Sequence, residues 1–149
     1  MIVASRRRYV IDTHLYIDAL RTEDGKEALN AFHERFVPFL HLSAVVAQEL
    51  RAGVQVPAAS RLEAGLLGPY ERRGRLIAPS YNAWKETGRV LSELIAPAGW
   101  KSVTRSFVND VLLAMSCREA GVTLVTGNER DFARIAGVRE FEFMPPWPS

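Results

Sequence analysis

One order of signals recurs along this chain: a short β-branched or aromatic run, a polar residue at its end, then apolar residues at helical spacing. A chain built this way has little choice but to stack parallel strands edge to edge and to carry each connection over a face of the sheet as a helix. Arg8 to Ile11 reads as the first strand, and Leu15, Ile17 and Leu20 start a helix directly after Asp12. Lys26 to Phe36 suits a second helix. Phe39 to Leu42 is the next strand, with Ser43 as N-cap of a helix over Ala44 to Ala52 that Gly53 stops. Residues 57 to 73 are weakly helical, rich as they are in Ala, Gly and Pro. Arg75 to Ala78 reads as a strand, and Trp84, Val90, Leu91 and Leu94 mark an amphipathic helix that ends before a turn over Pro97 to Trp100. From Ser106 a helix runs to Ala120, with Gly121 as its left-handed cap. Val122 to Val125 is the most strand-like segment. Asn128 to Ile135 is a short helix, Phe141 to Phe143 a last edge strand, and Pro145 to Ser149 an irregular tail. The expected fold is α/β, a parallel sheet covered on both faces, in one domain over residues 1–149.

The bulk numbers exclude several classes. A single cysteine, Cys117, allows neither a disulfide framework nor a thiolate zinc site, so a reducing cytosol is the expected compartment. The apolar stretch after Arg6-Arg7-Arg8 is too short for a signal peptide or a membrane span. Nineteen Lys and Arg against seventeen Asp and Glu leave a net charge of +2, which does not by itself mark a nucleic-acid binder. Arg6 to Arg8, with Arg72, Arg73 and Arg75, are local basic clusters that suit either a solvated face or phosphate contact.

Ligands of open parallel sheets sit at the carboxyl ends of the strands, and there the polar residues fall. Asp12 follows Tyr9-Val10-Ile11 directly, which fits a helix N-cap as well as a ligand. Glu49 lies on the helical wheel between Val45 on one side and Val46 and Leu50 on the other, inside the apolar arc. A carboxylate aimed at a core costs several kcal/mol unless something pairs with it. Asp110 sits early in its helix, beside Ala114 and Cys117 on the wheel, where the helix dipole also favours it. Thr126-Gly127-Asn128-Glu129-Arg130-Asp131 adds a hydroxyl, an amide and further carboxylates after the clearest strand. Crowded like charges need a cation, and an all-oxygen set favours Mg²⁺ or Mn²⁺. His14, His33 and His41 are scattered and read as ordinary histidines.

The order Ile11-Asp12-Thr13, Ser43 to Gly53 with Glu49, Asn109-Asp110 and Thr126 to Phe132 resembles the PIN-domain family, and within it the VapC-type toxins of bacterial toxin–antitoxin pairs. The resemblance covers nearly the whole chain. It implies a three-layer α/β/α fold with four to five mostly parallel strands. It also implies a Mg²⁺- or Mn²⁺-dependent endoribonuclease, homodimeric and restrained by a VapB-like antitoxin. By position Asp12, Glu49 and Asp110 match the acidic ligands, Asn128 stands where many members carry aspartate, and Asp131 lies one turn further on. Thr13, Thr126 and Asn128 would support the carboxylates by hydrogen bonds, and Arg105 and Arg130 would contact RNA phosphates. His14 replaces the asparagine or serine often found there, a change expected to affect packing more than the metal.

Other classes fit less well. An aspartyl phosphatase needs a second aspartate where His14 sits, and a receiver domain needs an aspartate ending a middle strand. A degenerate PIN domain that only binds RNA or protein remains as the non-enzymatic alternative.

Overall fold

The computed structural model describes residues 7–96 and 99–147, apart from the side chain of Val56. Arg6, Pro97, Pro148 and Ser149, named in the expectations above, lie outside the described residues. Five parallel strands form the sheet: β1 (Tyr9–Ile11), β2 (Leu40–Ser43), β3 (Leu76–Ile77), β4 (Thr123–Val125) and β5 (Phe143–Met144). Their order is β3-β2-β1-β4-β5. Every residue of β1 and β4 is buried, which requires helices on both faces. The layered α/β fold expected from the sequence is the one found.

Around the sheet lie α1 (Thr13–Arg21), α2 (Glu23–Phe36), α3 (Ala44–Gly53), α4 (Val56–Arg61), α5 (Gly68–Arg72), α6 (Tyr81–Ile95), α7 (Arg105–Ala120) and α8 (Glu129–Ala136). The chain steps outward from β1 through β2 to β3, then returns to lay β4 on the other side of β1. That reversal is a topological switch point, and it opens a crevice at the carboxyl ends of β1 and β4. Ile11 pairs with Val125 in the register, so the next residues, Asp12 and Thr126, face the crevice together.

Several boundaries differ from the sequence expectation. α2 begins at Glu23, not Lys26, because Thr22 caps it: its hydroxyl accepts from the Gly25 amide at 3.0 Å and donates to the Asp18 carbonyl at 3.0 Å. Gly25 permits this tight junction, since a Cβ there would lie 2.6 Å from the Asp18 oxygen. Phe39 belongs to a 3₁₀ turn over Val37–Phe39 with Pro38 in its first positions, so β2 begins one residue later. Gly53 is the last residue of α3, not the residue beyond it. Residues 57 to 73 are α4 and α5 separated by a π-helical turn over Leu62–Leu67. Pro69 has no N–H to donate and crowds the carbonyl four residues back, which widens the ladder ahead of it. α7 starts at Arg105 with Thr104 as its cap, in place of Ser106, because the Thr104 hydroxyl accepts from Phe107 N at 3.1 Å. α6 starts three residues before Trp84, where the Ser80 hydroxyl takes the capping place. β5 is Phe143–Met144 because these residues align with Leu124 and Val125, while Phe141 turns into the core against Phe132. Ser43 and Gly121 cap α3 and α7 as expected.

Candidate metal centre

Asp12 is 5% exposed, the most deeply buried carboxylate at the crevice. Of the two readings its sequence position allowed, the structure shows the cap. As the N-cap of α1 its Oδ1 accepts from Thr13 N at 2.8 Å, and its Oδ2 accepts from the Thr126 hydroxyl at 2.7 Å. The second bond crosses the switch point from β4 to β1. Thr126 is fully buried and also accepts from Asn128 N at 3.0 Å, so one hydroxyl ties the first loop residue of β4 to the carboxylate of β1.

Glu49 reaches the same crevice from α3. Its neighbours Val45, Val46 and Leu50 are buried, as the wheel requires, yet the Glu49 carboxylate is only half-buried and Oε1 accepts from the Thr13 hydroxyl at 2.9 Å. Burial raises its pKa above the ordinary value. The Thr13 bond opposes that rise, the charge on Asp12 adds to it, and a hydrogen bond from Asn109 opposes it again. Asn109 is thus a supporting residue that the sequence reading passed over. Its place next to Asp110 in the first turns of α7 was the available signal.

Asp110 carries the strongest electrostatic signature. Its carboxyl is pushed up to about 7, first by burial and then by the charges of Asp12, Glu49 and Asp131; His14 opposes the rise. Three carboxylates from three other elements therefore act on this one group. Asp131, in α8, is partly exposed and its Oδ2 accepts from the Asn128 side-chain amide at 3.1 Å. Asn128 thus steers a carboxylate at the rim while standing as N-cap residue of α8.

His14 is more than an ordinary histidine. Its Nδ1 lies 3.5 Å from Asp12 Oδ2, and its Nε2 accepts from Gly127 N at 3.2 Å. The ring bridges the start of α1 and the loop after β4. A Cβ on residue 127 would meet Nε2 at 2.8 Å, so the glycine is what admits the ring. The Asp12 contact raises the His14 pKa against the effect of burial. The Gly127 N–H opposes a second proton, since it needs the lone pair on Nε2. That direct contact favours the neutral ring with its hydrogen on Nδ1. No sequence pattern announced this bridge, because it joins residues more than a hundred positions apart.

Among the described residues, no three His, Cys, Asp or Glu side chains form a ready coordination shell. Burial first, and then the charges of its neighbours, raise the Asp110 carboxyl. The donor set, all carboxylate and amide oxygen with one thiol buried elsewhere in α7, fits a hard divalent ion. Arg105 and Arg130 are exposed in the first turns of α7 and α8, the helices that carry Asp110 and Asp131. Two arginines of the basic clusters serve the fold instead: Arg8 donates to the Ala120 carbonyl and Arg75 to the Val37 carbonyl.

Thr126→Val keeps the side chain's volume but removes the bridge. It should destabilise the fold by roughly 1–3 kcal/mol by stranding Asn128 N and a buried carboxylate oxygen. It should also weaken Mn²⁺ binding by roughly 10–100-fold, the usual cost of losing a group that orients a ligand. A denaturant midpoint and a Mn²⁺ titration that both match the unmodified protein would contradict this role.

Comparison with known proteins places this five-stranded parallel α/β fold. The PIN-domain family model matches residues 9–138, and the chain belongs to that family. Solved structures share the fold. FitAB bound to the IR36 DNA fragment is 17% identical, with 95% of this chain and 96% of that chain covered and a TM-score of 0.71. DNA-bound VapBC from Salmonella typhimurium is 19% identical, with 94% and 98% covered and a TM-score of 0.68. FitAcB from Neisseria gonorrhoeae is 18% identical, with 95% and 99% covered and a TM-score of 0.67. No curated protein matches the sequence.

Proposed function

We propose that this chain is a Mg²⁺- or Mn²⁺-dependent endoribonuclease, the toxin of a toxin–antitoxin pair. The observation that carries the reading is the convergence on Asp110, whose pKa is raised first by burial and then by the charges of Asp12, Glu49 and Asp131. A bound cation would offset both the cost of burial and the repulsion. Family membership supports the chemistry, and the VapBC and FitAB assemblies among its relatives in fold support the setting.

Asp12, Asp110 and Glu49 would hold the ion, which when bound supplies positive charge to the phosphodiester and acidifies a nearby water. The chain's own residues do the rest. Thr13 and Thr126 fix the two oxygens of Asp12 through backbone and hydroxyl donors, so its orientation is set before substrate arrives. Glu49, steadied by Thr13 and Asn109, orients the attacking water and takes up its proton. Asp131 restores negative charge at the place where Asn128 offers none. Arg105 and Arg130 bind flanking phosphates, so affinity for RNA falls steeply with salt. An antitoxin that masks the crevice, and assembly as a homodimer, belong to the same reading, as does a cytoplasmic setting. Among the described residues no helix is long and apolar enough to cross a membrane.

The second reading, a binding module without catalysis, draws on Asn128 at the fourth acidic place and on the open arrangement of the carboxylates. Calorimetric titration with Mn²⁺ separates them. The nuclease reading expects saturable binding that Asp12→Asn abolishes while the circular dichroism spectrum is kept. Heats indistinguishable from dilution in the unmodified protein would leave the binding module standing.

A further inference from the structure

The crevice lies at the carboxyl ends of the strands, and the basic clusters of the sequence meet at the other end. Arg7 and Arg8 lead into β1, while Arg73, Gly74 and Arg75 lead into β3. Between these strands runs β2, in which His41 stands beside Val10 of β1. Leu42 stands beside Leu76, so one step back His41 stands beside Arg75. Side chains alternate along a strand, which puts Arg8, His41 and Arg75 on one face of the sheet at this edge. Gly74, with a positive φ of 66°, turns the chain out of α5. Its amide and that of Arg75 bond to the carbonyls of Glu71 and Tyr70 at 3.2 and 3.0 Å, which fixes where the two arginines emerge. From α2 comes His33, which shares a small hollow with Tyr70, Arg73 and Arg75.

These cations lack counter-charges. Among the described residues none of Arg7, Arg8, Arg73 and Arg75 forms an ion pair, and Glu71, the carboxylate of α5, is already engaged by Arg51 at 3.2 Å. The bonds of Arg8 and Arg75 to backbone carbonyls hold each guanidinium in place through one nitrogen, and the rest of each fork of donors is left to water or a ligand. The two histidines register the result. Burial lowers the pKa of His33, and the charges of Arg73 and Arg75 lower it further. Burial lowers that of His41 as well; its bond to the Phe39 carbonyl opposes the fall, and Arg8 and Arg75 add to it. Arg75 acts on both rings, so the two basic clusters of the sequence form one patch. The patch ends beyond Arg7, where Glu140 and Glu142 line a hollow with Arg7 and Arg118. Unpaired like charges held close repel one another, and a polyanion laid across them removes that cost.

We infer that this amino edge of the sheet, from Arg7 and Arg8 across His41 to Arg75, Arg73 and His33, binds the phosphate backbone of RNA at a site separate from the crevice. Guanidinium forks match phosphate oxygens in pairs, and forks issuing from several places along an edge suit a chain of phosphates better than a single one. Among the large exposed apolar side chains, only Leu76 neighbours the patch in sequence, and strand alternation turns it to the opposite face, so no apolar wedge favours a lipid surface. At the crevice the carboxylates repel phosphates until a cation is bound. The amino edge therefore supplies affinity that needs no metal, and it holds RNA that flanks the cut. Arg8 stands four residues before Asp12, roughly 13 Å down β1 from the crevice. The choice of RNA over other polyphosphates rests on the proposed function; the patch itself does not.

The full-length chain is titrated with a labelled single-stranded RNA of mixed sequence, in chelator, so a failed nuclease reading leaves the result untouched. Binding is read by fluorescence anisotropy over a range of salt. Arg7→Glu combined with Arg73→Glu weakens it roughly tenfold or more and lowers the slope of log affinity against log salt by about 1.4, at about 0.7 per phosphate contact. Both residues are exposed and pair with no carboxylate, so the fold survives the change. Arg75→Lys keeps the charge and stays within about threefold of the unmodified protein. RNA also raises the pKa of His33 and His41, read by NMR, because a phosphate beside each ring favours its protonated form. That rise persists in Arg105→Glu combined with Arg130→Glu, whose changes lie at the crevice. Unchanged affinity and salt slope in the Arg7 and Arg73 double variant overturn the inference, as does RNA binding that leaves both histidines unmoved. Displacement of the RNA by equimolar inorganic phosphate overturns it too, and marks a site for one small anion. Tighter binding to phosphatidylserine vesicles, or to duplex DNA of the same sequence, than to RNA gives the edge to a different partner and overturns it equally.

Discussion

Asp110→Asn is expected to raise the melting temperature of the metal-free protein by a few degrees near neutral pH while abolishing its response to Mn²⁺. The sign follows from the raised carboxyl of Asp110. An acid whose pKa climbs from its ordinary 3.8 to about 7 on folding binds its proton more tightly in the native state. Stability from this group is therefore full below about pH 4 and is lost as pH rises toward 7. Asparagine carries no charge to repel Asp12, Glu49 or Asp131, so the variant escapes that loss. Under the proposed function Asp110 is a ligand, and its loss would forfeit the several kcal/mol a metal gives a phosphodiester transition state, so cleavage should fall by roughly a thousandfold. Thermal melts with and without Mn²⁺, run beside an RNA cleavage assay, read all three effects. A variant less stable than the unmodified protein without metal would show that Asp110 is held by an attraction this account lacks.

Below pH 7 the ion must displace the Asp110 proton, so binding should release about one proton and tighten about tenfold per pH unit up to 7, then level off. Glu49, also raised by burial, adds to the slope at the acid end of the range. Mn²⁺ titrations in two buffers of different ionisation heat, at about pH 6 and about pH 8, count the protons directly. Equal affinity and no proton release at the lower pH would mean that Asp110 is not displaced by the metal.

Much of this was legible in the chain itself. Strands β1, β2 and β4 announce themselves as short apolar runs, and each ends on a polar residue at the crevice. The wheel position of Glu49 pointed inward from sequence alone, and the structure explains how the cost is met: the carboxylate bends out of the apolar arc to the Thr13 hydroxyl. The misplaced boundaries have a shared cause. Thr22 and Thr104 cap their helices through bonds to amides three residues on, at positions where acidic or serine neighbours compete for the same reading. The π-helical turn before Pro69 breaks both periodicities, so no pattern could have placed it.

The site was legible residue by residue but not as a network. Asp12 offered two explanations, a cap and a ligand; the structure shows the cap, and the ligand role belongs to the proposed function. The His14 bridge, the Thr126 tie and the Asn128 clasp on Asp131 depend on the strand order β2-β1-β4, which brings residues 12 to 14 against residues 126 to 128. No single-sequence pattern carries that adjacency. The sequence groups Trp84 with Val90, Leu91 and Leu94 as marks of one amphipathic helix, and the structure leaves Trp84 exposed while Val90 and Leu91 are buried.

The central claim is that the carboxylates at the switch point make a metal-dependent ribonuclease. The most direct measurement is cleavage of a mixed single-stranded RNA by protein purified free of host nucleases, before and after chelation and with Mn²⁺ restored. The account predicts cleavage that chelation abolishes, that Mn²⁺ restores, and that Asp12→Asn lacks under every condition. Cleavage that persists through chelation, or equal cleavage by Asp12→Asn, would contradict it.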